Sequence, residues 1–589
     1  MKNKWTVKKL GVVLLCAVIL SACSNNSATT SNAGASSPVL NETNGTTAGA
    51  QLASVDLIKK IEYAENDYYT DWSSDNPIEI KLNGSGASVE GSGATVKDST
   101  ITITAAGTYV LSGKLDDGQI VVNVQDKGIV RLVLNGVDIY NSSTAPIYVE
   151  EAGKTIISLQ EGTENQITDG EAYVYPDAST DEPNATIFSK DDLTINGTGK
   201  LIVQGNYNNG ITSKDELKIT GGTLEIHAVD DGLMGRDLVA VQEGNITIEA
   251  GGHGVKTTND EVDSLGYIDI TGGSFSLNSG EDALHSSGGI GIADGDIAIA
   301  AGDDAIHADV SIAIAGGTID ITKSNEGIEA PTIKISDGTI SVVSTDDGVN
   351  AAGGDDASTE TEGSAGSGGP QSGAASSNMI TISGGNLTVD AQGDGLDANG
   401  SIVMTGGTVM VNGPTNNGNG ALDYDGTFEM TGGVLVAAGS SGMAQATSDS
   451  STQYGIMMTY PQTQSAGTMV HLEDSEGNNV ITFAPSKDYQ SVFISSPNMK
   501  KEASYTLYSG GTSTGTEMNG IYDGGDYKDG TKVVEFQTAS IVTWLNESGV
   551  TEARSGMGGP GGGNRGQGGN PGQGGDRTPP DGERPMKKQ

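Results

Sequence analysis

Acid and amide pairs, each followed by one Gly or Ala and then an aliphatic, recur through the middle of this 589-residue chain at Asn208-Asn209, Asp230-Asp231, Glu281-Asp282, Asp303-Asp304, Asn325-Glu326 and Asp346-Asp347, with Gly393-Asp394 at the same position of a later copy. Immediately after the aliphatic comes a second polar column, His285, His307, Glu329, Asn350, Asp397 and Asp423. If the copies stack, carboxylates on neighbouring copies stand ~4.8 Å apart. At an effective dielectric near 20, two such charges repel by roughly 3 kcal/mol. A ladder of them either raises its own pKa values or holds a cation. Ca²⁺ suits it, since it takes six to eight oxygen ligands and accepts carboxylate and amide oxygens together. The candidate metal ligands are Asp230, Asp231, Asp282, Asp303, Asp304, Glu326, Asp346, Asp347, Asp394 and Asp397. Asp-Asp-Gly and Asn-Asn-Gly are also ordinary turn formers, so any single pair reads as a turn and only the ladder as a whole reads as a metal site.

A second column is basic. Lys190, Lys214 and Arg236 fall in register in "FSKDDL", "TSKDEL" and "MGRDLV", each followed by an acid, Asp191, Asp215 and Asp237. Lys256 follows the next aliphatic by one position and lies off that column. Three stacked cations in a chain with 31 basic and 76 acidic residues are either charge compensation or a grip for the carboxylates of an acidic polysaccharide. Tyr207, with Tyr173 and Tyr175, lies near them in sequence.

The elements that position these residues follow from a repeat. Ile211–Gly232, Leu233–Gly254, Leu284–Ala305 and Ile306–Gly327 are each 22 residues long, and Ile328–Gly348 is 21. Each reads aliphatic, turn, apolar-x-apolar, Gly-Gly, apolar-x-apolar, turn, polar pair. Three short strands per copy cannot bury their apolar positions alone, so the copies must stack. The expected fold is all-β: a right-handed parallel β-helix of about 22-residue three-strand rungs with a C-terminal β module or cap.

The chain ends carry different signals. Lys2, Lys4, Lys8 and Lys9 precede an apolar run from Leu10 to Leu20, an export leader. Leu20-Ser21-Ala22-Cys23 resembles the bacterial lipobox, which implies lipidation at Cys23 and a membrane anchor on the extracellular face. Loss of the leader's four lysines takes the formal charge from −45 to −49. With Cys16 and Cys23 the sole cysteines, the body holds no disulfide, and stability outside the cell rests on packing or bound ions. Such an acidic chain excludes nucleic acid as a partner. The expected organisation is a leader at 1–22, a tether at 23–50, an N-terminal cap at 51–99, and the repeat domain at 100–445 with a low-complexity insert at 353–378. A C-terminal module at 446–550 and a Gly/Pro-rich tail at 551–589 complete it, and the chain is expected to be a monomer.

"GTYVLSGKL", "RLVLNGVDI", "NATIFSKDDLTINGTG", "NYNNGITSKDELKITGGTLEI" and "VDDGLMGRD" resemble a family of bacterial surface carbohydrate-binding β-helix proteins. The resemblance implies association with calcium, with polygalacturonate-like or cellulosic glycans, and a pectate-lyase-like fold. The expected function is a calcium-loaded surface lipoprotein that binds polysaccharide, with Lys190, Lys214, Arg236 and Tyr207 as glycan contacts and no catalytic residue. A calcium-dependent polysaccharide lyase is the enzymatic alternative, with Lys190, Lys214, Arg236 or Lys256 as base. An adhesin or spacer without a glycan site is the structural one.

Overall fold

The computed structural model describes residues 60–177, 179–262, 264–352 and 377–553. The leader, Cys23, the tether, nearly all of the insert and the tail from residue 554 lie outside the described residues. No helix among those described is long and apolar enough to cross a membrane.

The stacking expected from the repeat is present. Leu233, Val255, Leu284, Ile306, Ile328, Val349, Leu396 and Leu422 are parallel partners in succession, and none is more than 1% exposed. They belong to a 14-stranded sheet whose strands follow one another in chain order. The two apolar-x-apolar segments of each copy lie in a 28-stranded sheet. Alternate residues of both sheets meet in one continuous apolar cluster, from Ile80 to Val542. Period-2 alternation buries every second side chain, which is why Ile-x-Ile recurs along the sequence.

Three features correct the expected architecture. The Gly-Gly step does not always divide two strands: Ile129–Asn141, Ser311–Lys323 and Thr332–Ser344 are single strands of 13 residues that run through it. At that corner Gly317 has φ +84°, and a Cβ there would meet the Gly295 carbonyl oxygen at 2.7 Å, so glycine is required. The first strands pair antiparallel, Ile78–Gly84 with Ala87–Glu90 and Ala94–Lys97 with Thr100–Ile103. Finally, Gly455–Gln464, Tyr489–Ser495 and Val542–Asn546 extend the 28-stranded sheet itself. The right-handed parallel β-helix of uniform three-strand rungs, and the fold implied by the family resemblance, are therefore replaced by an enclosure of parallel strands around one interior. Its larger sheet continues through antiparallel pairs into the C-terminal strands. A six-stranded antiparallel sheet builds a second core there around Leu472, Phe483 and Leu507.

Near the N-terminus a short segment lies against the side of the stack. Asp67, 0% exposed, accepts Lys154 Nζ at 2.9 Å and Thr194 Oγ1 at 2.8 Å. Lys218 Nζ donates to the Glu62 carbonyl oxygen at 3.0 Å.

Candidate functional site

Each three-residue strand of the 14-stranded sheet points its first and third residues inward and its middle residue outward, so the middle residues form a column. Pairing places Thr212, Met234, Lys256, His285 and His307 side by side, followed by Glu329, Asn350, Asp397 and Asp423. Lys256 thus heads the histidine and acid column rather than joining Lys190, Lys214 and Arg236.

The preceding turn supplies a second column. Asp231 Oδ1 accepts the backbone N–H of His253 at 3.1 Å, Asp282 Oδ1 that of Asp304 at 2.9 Å, and Asp304 Oδ1 that of Glu326 at 2.9 Å. Asp347 Oδ1 accepts the N–H of Asp394 at 2.6 Å. One carboxylate oxygen thereby fastens the next copy, and the other remains for side chains of the outer column.

The two columns differ along their length. From Asp231 to Glu329 acids alternate with imidazoles. His253 Nδ1 lies 3.0 Å from Asp231 Oδ1 and 3.0 Å from Glu281 Oε2. His285 Nδ1 is 2.8 Å from Asp282 Oδ2, and His307 Nδ1 is 3.2 Å from Glu329 Oε2. The His285 and His307 rings stack at 5.2 Å. Burial opposes the charge on His253, but hydrogen bonds to Asp231 and Asp282 raise its pKa to about 9. Burial likewise opposes His307, and bonds to Asp304, Asp309 and Glu329 lift it to about 12. Lys256 Nζ completes this stretch, 3.5 Å from Asp231 Oδ2 and 3.3 Å from His253 Nδ1.

Beyond Glu329 the imidazoles stop. Burial, then the Glu329 charge, push Glu326 up to about 9. Burial and the surrounding carboxylates, Asp394 first, push Asp347 up to about 7. Burial followed by the Asp347 and Asp394 charges does the same for Asp397, also to about 7. Burial and the Asp423 charge bring Asp394 to about 6. Here too Asn350 Oδ1 is buried without a hydrogen-bond partner. The expected cation ladder is present as clusters of acids and histidines that can hold a metal ion, and its two halves differ in charge balance. Its first half is internally neutralised by histidines, and unrelieved repulsion is confined to the second half.

Among the described residues, four groups bring ligand atoms within 4.8 Å of one another: His253/Asp282/His285, Asp304/His307/Glu329, Asp282/Asp303/Asp304 and Asp347/Asp394/Asp397. Each can hold a metal ion. The all-carboxylate Asp347/Asp394/Asp397 fits one best, since a cation there would relieve the raised pKa values and Asn350 Oδ1 is an unused oxygen on the neighbouring strand. Of the other residues singled out in sequence, Asp230 Oδ2 accepts Asn208 Nδ2 at 2.8 Å, Glu326 Oε2 accepts Asn350 Nδ2 at 2.8 Å, and Asp346 is exposed. Sequence reasoning missed His253. It fills the pair position in Gly252-His253-Gly254, directly ahead of the aliphatic Val255, and strict counting from the repeat finds it.

The basic residues do form a column. The backbone N–H groups of Lys190, Lys214 and Arg236 donate to the Val149, Ser189 and Ser213 carbonyl oxygens. Each head group has a local partner. Lys190 Nζ sits 5.7 Å over the Tyr148 ring, Lys214 pairs with Glu182 at 2.7 Å, and Arg236 with Glu261 at 3.1 Å. Tyr207 stacks on Tyr173 at 4.2 Å and meets Tyr175 edge-on at 6.5 Å.

A family model described as carbohydrate-binding domain-containing protein matches residues 97–354, a span that includes the basic column and the histidine stretch. A carbohydrate-binding domain-containing protein of Acetivibrio thermocellus is 45% identical over 128 residues, 22% of this chain and 45% of that relative. The chain therefore spans less than half the length of that relative. A solved structure described as a polysaccharide lyase-like protein from C. thermocellum, a gadolinium derivative, is 35% identical, covering 44% of this chain and 97% of its own with a TM-score of 0.36.

Proposed function

We propose that this chain is a cation-dependent polysaccharide lyase acting on an acidic, uronate-containing glycan. The carrying observation is Lys256 Nζ, 25% exposed on its side chain and seated 3.3 Å from His253 Nδ1 at the head of a column that leads into metal-capable acids. The match of residues 97–354 to a carbohydrate-binding family supports a polysaccharide as the partner.

Ca²⁺, the hard cation that the all-oxygen groups suit, would neutralise the uronate carboxylate and acidify the adjacent C–H when bound. Lys190, Lys214 and Arg236 form the docking strip, with Tyr207 a further glycan contact, and offset the negative field of the chain toward a polyanion. Lys256 Nζ takes the proton next to the carboxylate. The C–H electron pair becomes the ring double bond, the glycosidic C–O bond breaks, and the leaving oxygen takes a proton from water. The hydroxide so formed recovers the proton held by Lys256, so no water is consumed. His253, protonated at neutral pH, holds Asp231 beside Lys256.

Export and lipidation at Cys23 belong to the same proposal, supported by the Leu20-Ser21-Ala22-Cys23 motif; mass spectrometry of the membrane fraction would find an N-terminal diacylglyceryl cysteine. The lyase itself is tested by incubating polygalacturonate with the full chain in Ca²⁺ and in EDTA, following the ultraviolet absorbance of the unsaturated product. Release in Ca²⁺ and not in EDTA is expected. No product across about pH 7–10, where an amine base works best, overturns the reading.

A further inference from the structure

Three of the chain's five histidines, His253, His285 and His307, stand on successive copies of the repeat, and the first two meet at one carboxylate. Asp282 Oδ1 is already committed to the Asp304 N–H at 2.9 Å, which fixes the side chain and leaves Oδ2 to the imidazoles. Oδ2 lies 3.5 Å from His253 Nε2 and 2.8 Å from His285 Nδ1. Ligand atoms of all three residues fall within 4.8 Å of one another. Nitrogen and oxygen ligands held at about 2.0–2.2 Å around a zinc-like ion stand roughly 3–3.5 Å apart, so small side-chain shifts suffice to close this arrangement on one. The side chains of His253 and Asp282 are each 10% exposed and that of His285 24%, so an ion can reach them from solvent.

The groups behind His253 set its tautomer. Its Nδ1 faces two acceptors, Asp231 Oδ1 and Glu281 Oε2, each at 3.0 Å. A proton on Nδ1 serves them and leaves the Nε2 lone pair on the Asp282 side, the carboxylate–histidine–metal arrangement that orients a metal-bound imidazole. Lys256 Nζ, 3.5 Å from Asp231 Oδ2, adds one positive charge. With both imidazoles neutral, Asp231, Glu281 and Asp282 against Lys256 leave two negative charges, which a divalent ion balances.

We infer that His253, Asp282 and His285 form a transition-metal site, taking Zn²⁺ or a similar borderline divalent ion. Two imidazole nitrogens and one carboxylate suit that class, whereas Ca²⁺ takes oxygen ligands. The all-carboxylate Asp347/Asp394/Asp397 is the hard counterpart further along the same column. An ion held by His253 and by Asp282 and His285 ties one copy of the repeat to the next, in a body that has no cysteine for a disulfide. The inference does not rest on the lyase reading.

The test uses the full chain without a polyhistidine tag, stripped in EDTA, dialysed, and titrated with Zn²⁺ in excess Ca²⁺. One saturable Zn²⁺ site that Ca²⁺ does not displace is expected, with a Tm that rises with Zn²⁺ concentration. Cu²⁺ bound in its place should show spin-echo modulation from two imidazoles. His285→Ala should abolish the site with the unfolding midpoint in EDTA unchanged, since His285 is part-exposed. Asp231→Asn keeps the acceptor for the His253 backbone N–H and should weaken Zn²⁺ binding about 10–100-fold, as loss of a carboxylate behind a metal-bound histidine does. Asp397→Asn should leave it unaltered. Displacement by Ca²⁺ overturns the inference, as does a His285→Ala protein that binds Zn²⁺ like its parent. The echo modulation is read on the parent chain, so one imidazole or none overturns it whether or not a variant folds. Loss of binding in His307→Gln with His285→Ala intact would move the ion to Asp304/His307/Glu329 and overturn it equally.

Discussion

Asp304 Oδ1 accepts the backbone N–H of Glu326, 22 residues on, at 2.9 Å, while its other oxygen lies 3.5 Å from His307 Nδ1. One buried side chain is thus a structural acceptor and a charge at once, which separates what truncation to Ala and the isosteric change to Asn will do. Asp304→Ala leaves the Glu326 N–H without its acceptor and should cost about 1–3 kcal/mol in urea unfolding. Asp304→Asn keeps the acceptor and removes a charge beside Asp282 and Asp303, so its unfolding midpoint in EDTA should stay near the parent's. Equal losses in both variants would show that the charge, not the hydrogen bond, carries the stability.

The acid group Asp347/Asp394/Asp397 predicts a pH dependence of opposite sign to that of a salt-bridged carboxylate. Asp347 and Asp397 are pushed up to about 7 and Asp394 to about 6, above the unfolded value near 3.9. Between about pH 4 and 7 the folded protein therefore holds more protons than the unfolded chain. The stability contributed by these groups is complete below pH 4 and is lost as pH rises through 7. In EDTA, Asp397→Asn should flatten that fall. Calcium binding at pH 7 should release protons, read by calorimetry in buffers of different ionisation enthalpy. A heat independent of buffer would remove this group as the cation site.

Lys256 and Lys214 provide a contrast within the basic residues. Lys214 is held by Glu182 at 2.7 Å, away from the imidazoles, whereas Lys256 adjoins His253 and Asp231. Lys256→Met should reduce kcat for polygalacturonate cleavage by about 10²–10⁴-fold, as expected for loss of a general base. Lys214→Met should raise KM and spare kcat. Comparable loss of kcat in both would place the base elsewhere.

Much of this was legible because burial alternates with period 2 and the sequence repeats at 22. Ile306, His307 and Asp304 take their positions from that phase alone. The Gly-Gly corner is a strand boundary between Glu216–Ile219 and Thr223–Ala228 but not at Gly317, which only turns the strand Ser311–Lys323; glycine breaks the pattern on paper in both. Periodicity also hides partners supplied by irregular loops. Glu182 and Glu261, which hold Lys214 and Arg236, belong to no repeat position. The second core required the strand Tyr489–Ser495 to pair antiparallel with Val434–Gly439, a long-range choice that local alternation does not encode.

The pair formed by Lys154 and Asp67, 87 residues apart, is likewise absent from any repeat, and it predicts how the N-terminal segment is attached. Burial opposes ionisation of Asp67, yet the Lys154 and Thr194 hydrogen bonds hold its carboxyl below the usual range. Its contribution is therefore present at neutral pH and lost as pH falls below the unfolded value near 3.9. The Asp67 side chain is 0% exposed and that of Lys154 is 13% exposed, so removing one partner strands the other. Lys154→Met should cost about 3–5 kcal/mol if the segment stays docked. If it undocks, the cost is capped at the docking energy, and amide exchange should quicken from residue 62 to 70 while the strand Leu193–Gly197 keeps its protection. Unchanged exchange together with unchanged Tm would show that the pair fastens nothing.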